Sequence, residues 1–407
     1  MKRIGIECES IEGKNPDLPV GRQVWGVGRL IMGLLREISR RPELEKDFRF
    51  VLYFKNKIPD LPFLNAPVFE KKIVPVPFFR HRLFPIYYFA LLPMRLWFER
   101  LDWMFWPNYM LPIIAFNKSV VMLTEDVYYE THDGKLPFRY RLAYGIFCWW
   151  TAKFAARVMA ISETSKKNIS KLYGIKPDRI FVNYPGIDSP KNYELRITNY
   201  EYILFVGQAF PRRHLKETIL AFEKLTTKHT NILQNVGMSG LKLIAVGPDK
   251  YEKPVVKSLV EEVNRKLGRE AVVHRDYVKD SELVELYAGA KALIYVSDRE
   301  AFGLPPLEAL AFGVPPVIAD NELGHELFGE YAFYSPQENN PSEAFLTSEV
   351  LTKGVVKEGI VDNIANTTRQ ALTETNKIEK IKTGGPEFVK KYNWKTFADI
   401  FFENVKN

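Results

Sequence analysis

Short apolar runs alternate with longer stretches of helical period along most of the chain. Residues 4–8, 48–54, 103–105, 120–123 and 157–161 read as strands, and 27–40, 139–156 and 165–173 carry apolar positions at helical spacing. The pattern restarts with strands at 202–206, 243–246, 292–296 and 316–319 and helices at 213–225, 255–267, 281–288 and 305–311. Nearly continuous apolar strands separated by amphipathic helices predict an α/β protein whose parallel sheets are covered on both faces. A polar stretch near Pro190 has weak periodicity. The expected organisation is a first domain at 1–188, a linker at 189–200, a second domain at 201–385, and a closing segment at 386–407. That segment holds an aromatic-rich helix with Trp394, Phe397, Phe401 and Phe402.

Composition adds limits. A chain of 407 residues with 46% hydrophobic content has room for two full cores. The net charge of +8 favours an acidic partner: a nucleotide diphosphate, an anionic lipid surface or nucleic acid. No zinc spacing, aromatic RNA-binding strand or long basic run supports nucleic acid. Cys8 and Cys148 are far apart in apolar surroundings and read as packing residues, in keeping with a reducing compartment. Glu7 and Glu9 interrupt any signal-peptide core, and no apolar run reaches the ~20 residues needed to span a bilayer. The expectation is a cytoplasmic protein, with the inner face of a membrane as an optional contact.

The segment from Asp298 to Glu308 carries the most chemistry. Glu300 and Glu308 flank Ala301, Phe302, Gly303, Leu304 and a Pro-Pro pair. Spacing alone recurs by chance in a chain of this composition. Gly303, however, permits close backbone approach, and Pro305 and Pro306 suit the first turn of a helix. Glu308 is then expected in that first turn, where the helix dipole favours a carboxylate. Backbone N–H groups between the acids can face an anion. A helix-capping acid and a surface loop acid are the plain alternatives for Glu308 and Glu300.

A second segment, Gly207-Gln208-Ala-Phe-Pro-Arg212-Arg213-His214, follows a strand and opens a helix. Two arginines at a helix start oppose the dipole, and a bound anion would resolve the conflict. Together with Gln208 they are candidates for a diphosphate clamp at the carboxyl end of a parallel sheet. A solvated basic patch is the alternative.

Glu300-Ala-Phe-Gly-Leu-Pro-Pro-Leu-Glu308-Ala resembles the signature of the family 4 retaining glycosyltransferases. Asp102 to Pro112, Ala160 to Ser165, Val182 to Asp188, Tyr202 to Leu215, Gly247-Pro248 and Tyr277 to Tyr287 are also similar to family stretches. The resemblance implies a GT-B fold: two Rossmann-like domains facing across a cleft, with the last helix bracing the first domain. It implies that Glu300 binds sugar hydroxyls, Glu308 the ribose, and Arg212 and Arg213 the leaving diphosphate. Tyr277 and Val278 could wall the base, or be a buried core pair. The chain departs from its relatives at Gln208, where arginine is common, at Arg213, where lysine is common, and at His214, where Asn or Gly is usual. The chain has no Asp-x-Asp triplet, and the scheme needs no metal and no cofactor beyond a nucleotide-sugar donor; GDP-mannose is the first choice. Attack by the acceptor hydroxyl on the front face is expected.

In the first domain, Gly28 of Gly26-Val-Gly28 stands at a helix start and is a candidate for close approach to the donor. Glu125 follows a strand where many relatives have histidine. It could be a base for the acceptor, His132 could supply the imidazole instead, or Glu125 could be a solvated loop acid. Residues 71–106 interleave aromatic and basic side chains, as a membrane-surface segment would, or as a helix burying aromatics against a sheet would. The acceptor is expected to be a glycan or a lipid-linked molecule. A non-catalytic nucleotide-sugar-binding scaffold of the same fold is the alternative, motivated by Gln208 and Glu125. An epimerase or phosphorylase of related fold is a further rival, without a signature for a lysine-bound cofactor.

Overall fold

A computed structural model describes residues 1–13, 26–75, 90–109, 111–112, 118–126, 128–129, 138–188, 201–228, 238, 240–337 and 358–406. The expected linker at 189–200, His132 and the middle of the 71–106 segment lie outside the described residues. The chain forms two compact units, Met1–Gly186 with Tyr392–Asn407, and Ile187–Lys391.

The first unit is built on a parallel sheet of β1 (Lys2–Glu7), β2 (Phe48–Phe54), β3 (Phe69–Ile73), β4 (Trp103–Trp106), β5 (Ser119–Met122), β6 (Arg157–Ala160) and β7 (Ile180–Val182). Their order is β3-β2-β1-β4-β5-β6-β7. Alternate residues of each strand serve opposite faces. Phe48, Phe50 and Phe105 face α1 (Val27–Ser39) and the C-terminal helix Trp394–Val405. There Phe402 lies 5.7 Å from Phe48 and Phe401 lies 5.0 Å from Phe105, ring to ring. Val51, Tyr53, Met104 and Trp106 form the other core with α2 (Leu92–Trp97), α3 (Phe138–Phe154) and α4 (Glu163–Tyr173). Ser162 caps α4 by accepting from the Ser165 N–H at 2.9 Å, so this helix starts earlier than its apolar period implies.

The second unit contains β8 (Tyr202–Val206), β9 (Lys242–Val246), β10 (Val272–Arg275), β11 (Leu293–Tyr295), β12 (Pro316–Ala319) and β13 (Phe333–Ser335), all parallel. Its helices are α5 (Leu215–Lys228), α6 (Val256–Leu267), α7 (Asp280–Gly289), α8 (Leu304–Ala311), α9 (Glu322–Phe328), α10 (Glu358–Thr373) and α11 (Thr375–Phe388). The strand order β10-β9-β8-β11-β12-β13 is the doubly wound order of dinucleotide-binding sheets. At its centre β8 and β11 run side by side while their connections leave in opposite directions. That divergence opens a crevice at their carboxyl ends. The ends of β8 and β9 are pressed together there: a Cβ on Gly247, whose φ is +138°, would lie 1.9 Å from the Gly207 carbonyl oxygen.

Two local expectations are corrected. Helix α5 begins at Leu215, not at residue 213: Pro211–Arg213 is a separate 3₁₀ turn and His214 has φ +50°. The arginines therefore precede the helix and do not sit in its first turn. Helix α8 begins at Leu304, which makes Glu308 its fifth residue, beyond the first turn. Its end is as expected: Gly313, at φ +72°, donates to Leu310 while Val314 donates to Ala309, the double closure of a left-handed C-terminus.

Candidate active site

The crevice between β8 and β11 gathers most of the nominated donor-site residues. Gly207 follows the end of β8, and the 3₁₀ turn beyond it aims Arg213 back across the strand ends. Arg213 Nε and Nη2 donate to Glu300 Oε1 and Oε2 at 2.5 and 3.1 Å, and Nη1 donates to the Gln208 carbonyl at 3.2 Å. Both side chains of the pair are largely buried. The guanidinium lies over Tyr295, 5.4 Å from the ring centre, and over Phe210. Two parallel bonds and two ring faces fix its plane. Glu300 is thus not a solvated loop acid. Ser297 donates to it as well, at 3.2 Å. Burial, followed by the Glu300 charge, pushes the Tyr295 phenol well above its ordinary range and keeps it neutral.

Arg212 takes a different path. Its guanidinium stacks 4.7 Å from the Phe210 ring centre, and its Nε is buried with no hydrogen-bond partner. Its carbonyl accepts from the Asp298 N–H at 2.9 Å, which ties the β8 loop to the β11 loop. The two loops are joined again by His214, whose Nε2 is 2.7 Å from Asp298 and whose Nδ1 is 3.5 Å from Glu217. Burial alone would lower the His214 pKa. Hydrogen bonds to Asp298 and Glu217, with their charges, outweigh it and raise the pKa to about 9. The left-handed backbone at this position suits histidine, which with Asn and Asp is among the non-glycine residues that accept positive φ at least cost.

Beyond Glu300 the chain passes Ala301 and buried Phe302 to Gly303, which precedes α8 with φ +92°. Glu308 is buried against α7 and accepts from the Tyr287 hydroxyl at 2.8 Å. As the fifth residue of α8 it lies past the N-cap position that the capping alternative needs. Val278 is buried in the core that contains Tyr287, and Tyr277 is half-buried beside it. A shallow, open concavity lies beside Glu300, walled by Tyr295, Phe302, Pro306, Leu323 and Phe328. Among the described residues Glu300 is the one charged residue on its wall. Tyr287, Tyr295, Ser297 and Asp298 had no role assigned from sequence. Their signal was position alone, at strand ends or one helix away from a nominated acid.

The other two nominations lie in the first unit. Gly28 is buried as the second residue of α1, after Gly26 at φ +48°. Glu125 is buried, not solvated: it accepts from Ser165 Oγ at 2.6 Å and Asn168 Nδ2 at 3.1 Å, both on α4. At the reversal point of this unit's sheet, between β1 and β4, Glu7 is fully buried and accepts from Asn108 Nδ2 at 3.1 Å. Sequence reasoning read Glu7 only as an interruption of an apolar run. Among the described residues no group of acidic, histidine or cysteine side chains is placed to hold a metal ion.

Comparison with known proteins places this geometry. The model for glycosyl transferases group 1 matches residues 190–386, and the model for Glycosyltransferase Family 4 matches residues 26–190. The chain is 25% identical over 229 residues to the O-antigen chain mannosyltransferase RfbU of Salmonella typhimurium, covering 56% of this chain and 58% of that protein. It is 27% identical over 187 residues to the O-antigen chain mannosyltransferase B of Escherichia coli, covering 43% and 46%. The matches therefore span about half the length of these curated relatives. The fold superposes on the lipopolysaccharide glycosyltransferase WaaG with a TM-score of 0.66 at 17% identity, over 99% of this chain and 100% of that one. It superposes on Anabaena HepE, solved in complex with UDP-glucose, with a TM-score of 0.66 at 15% identity over the whole of both chains. With its two parallel α/β units of GT-B type and both halves matched by the family's models, the chain belongs to the family 4 glycosyltransferases, a family of retaining, metal-independent hexosyltransferases.

Proposed function

We propose that the chain is a retaining glycosyltransferase that moves a hexose from a nucleoside-diphosphate donor to a glycan or lipid-linked acceptor. The observation that carries this reading is the Arg213–Glu300 pair at the crevice between β8 and β11. A cation for phosphate and an acid for sugar hydroxyls stand side by side where doubly wound sheets take their ligands.

In this reading Arg212 and Arg213 hold the diphosphate and stabilise the charge that grows on it as the glycosidic bond breaks. The unsatisfied Arg212 Nε is a donor in waiting. Glu300 accepts from the sugar hydroxyls, and Glu308, oriented by Tyr287, accepts from the ribose. The backbone from Ala301 to Leu304 borders the β-phosphate, and Tyr277 with Val278 lies at the base. Glu125 fits a positioning role, because taking a proton from the acceptor would cost it a bond to Ser165 or Asn168. Front-face attack by the acceptor hydroxyl then delivers its proton to the departing diphosphate oxygen. Mannose is the favoured sugar, since several relatives are named as mannosyltransferases.

The test offers GDP-mannose, UDP-glucose and dTDP-sugars and follows donor hydrolysis. Turnover of one donor by wild type, lost in Glu300→Ala and Arg213→Ala, supports the enzyme. Tight donor binding with no turnover on any acceptor supports the scaffold alternative. No stabilisation by any of GDP, UDP or dTDP sinks both.

A further inference from the structure

The carboxyl ends of β1 and β4 lie side by side at the reversal point of the first unit's sheet, and the segment that leaves β4 there is braced from two sides. On one side Asn108 Nδ2 donates to Glu7 Oε2 at 3.1 Å. On the other, the Thr151 hydroxyl of α3 donates to the Tyr109 carbonyl at 2.7 Å and accepts from the Leu111 N–H at 3.4 Å. The Tyr109 ring meets Tyr144 of α3 edge to face, with ring centres 5.6 Å apart. Glu7 and Thr151 are completely buried, whereas Asn108, Tyr109 and Tyr144 are half-buried. Glu7 is held in its turn: Oε1 accepts from the Glu9 N–H at 2.6 Å, at the start of the 3₁₀ turn Glu9–Ile11. Lys55 pairs with Glu9 at 2.8 Å and Asn56 Nδ2 donates to Glu12 at 2.9 Å, which fastens this turn to the residues that follow β2. A partly exposed amide and a partly exposed phenol ring thus stand next to each other on a pinned loop, at the place where open α/β sheets take their ligands.

We propose that Asn108 and Tyr109 form a subsite for a pyranose ring of the acceptor, with Glu7 as the positioning residue that sets the Asn108 amide. Assigning that sugar to the acceptor rests on the transferase reading; the sugar itself is selected by the local chemistry. One face of a pyranose carries mostly C–H bonds and packs on an aromatic ring, while its rim carries hydroxyls that need directed partners. A ring has two faces, and the edge-to-face contact with Tyr144 engages at most one of those of Tyr109. An amide carries two N–H donors and two lone pairs, enough to hold Glu7 and to meet neighbouring hydroxyls. Because Glu7 accepts from Nδ2, the Oδ1 end of the amide is turned away from the buried acid, and there it accepts from a sugar hydroxyl. Charge disfavours a phosphate at this place: the charges that act on Glu7 are those of Glu9, Glu12 and a lysine, Lys55, that is paired with Glu9. An acyl chain fits no better, since it would cover the amide and give it no partner. A neutral, hydroxylated ring satisfies both limits.

The test is saturation-transfer NMR on the full chain with methyl α-mannoside, methyl α-glucoside and methyl β-galactoside as probes. At least one of them should receive saturation from wild type. Asn108→Ala and Tyr109→Leu should each weaken that glycoside at least about fivefold, and Glu300→Ala, in the other unit, should leave it unchanged. The bonds to Thr151 use main-chain atoms, so Tyr109→Leu keeps the loop in place and tests the ring even where Asn108→Ala fails to fold. Glu7→Gln retains an oxygen for the Asn108 amide and should bind within about twofold of wild type. Glu7→Met, of similar length without that oxygen, should fall as far as Asn108→Ala; circular dichroism melts check the folding of each variant. No glycoside bound by wild type, binding that Glu300→Ala removes and Asn108→Ala keeps, or a Glu7→Met that binds like wild type would each overturn the proposal. Donor turnover by a wild type that binds no glycoside leaves the transferase reading standing without this subsite. Glycoside binding with no turnover of any donor leaves the sugar subsite and overturns its assignment to an acceptor.

Discussion

Arg213 and Glu300 are 87 positions apart in the chain and meet in a two-bonded ion pair at the carboxyl ends of neighbouring strands. Each neutralises the other with both side chains largely buried. Arg213→Ala strands a carboxylate there and should destabilise the protein by about 3 kcal/mol. Removing both partners should cost clearly less than the sum of the single changes. Urea titrations of the two single variants and the double variant measure this coupling. Under the proposed function, each single change should also cut donor turnover by about 100-fold or more. Additive stability losses would mean that the pair is not formed in solution.

His214 joins the two loops of the crevice in a backbone conformation that disfavours most side chains. Its folded pKa of about 9 lies above the unfolded value, so its stabilising contribution is complete below about pH 6.5 and is lost as pH rises through about 9. Donor affinity should fall over the same upper range as Asp298 loses its cationic partner. His214→Asn keeps a residue that tolerates positive φ and removes the charge. That variant should bind donor more weakly than wild type at pH 7, with the difference closing near pH 10. Calorimetric titrations at the two pH values check it; a constant difference would exclude the imidazolium.

Tyr287 holds Glu308 from the adjacent helix and stacks on Phe312 with ring centres 5.9 Å apart. Tyr287→Phe keeps the stacking and removes one donor from a buried carboxylate, at a cost of about 1–2 kcal/mol. If Glu308 meets the ribose, the variant should lose affinity for the free nucleoside diphosphate and for the whole donor by the same factor, roughly tenfold. Isothermal titration with both ligands decides this. Weakened donor with unchanged nucleotide would move Glu308 from the ribose to the sugar.

What the sequence reveals follows from where each signal is local. Residues 48–54, 202–206 and 316–319 are read correctly to the residue because continuous apolar runs bounded by turn formers are buried strands. Phe69–Ile73 and Val272–Arg275 escape, since edge strands carry the charges that blur the pattern: Lys71 and Lys72 in one, His274 and Arg275 in the other. Pro305 invites a helix start at itself, yet Leu304 already occupies the first position, and that single residue moves Glu308 out of the first turn. Glu300 and Arg213 are both visible as candidates, but their pairing is a product of strand order, which no local pattern encodes. Glu125 shows the converse: the sequence leaves a solvated loop acid open as one of three readings, and only the packing of α4 shows it buried.

Glu7 is the least conspicuous of these buried acids and gives the sharpest pH test. It accepts from the Glu9 N–H at 2.6 Å and from Asn108 at 3.1 Å, and among the described residues no cation pairs with it. Burial, then the charge of Glu9, raises its pKa to about 8, against the hydrogen bond from the Glu9 backbone and the charge of Lys55. Between the unfolded value and about 8 the native state therefore holds a proton that the unfolded state has released. By linkage, stability must fall as pH rises through that window and level off above it. Glu7→Gln keeps the shape of the neutral acid without the titration. Relative to wild type the variant should be nearly neutral at pH 5 and more stable at pH 8.5, by on the order of 4 kcal/mol at about 1.4 kcal/mol per pKa unit. Denaturant unfolding of both proteins across pH 5 to about 9 measures the difference. Parallel pH profiles would mean that Glu7 is ionised throughout and that a cation reaches it in solution.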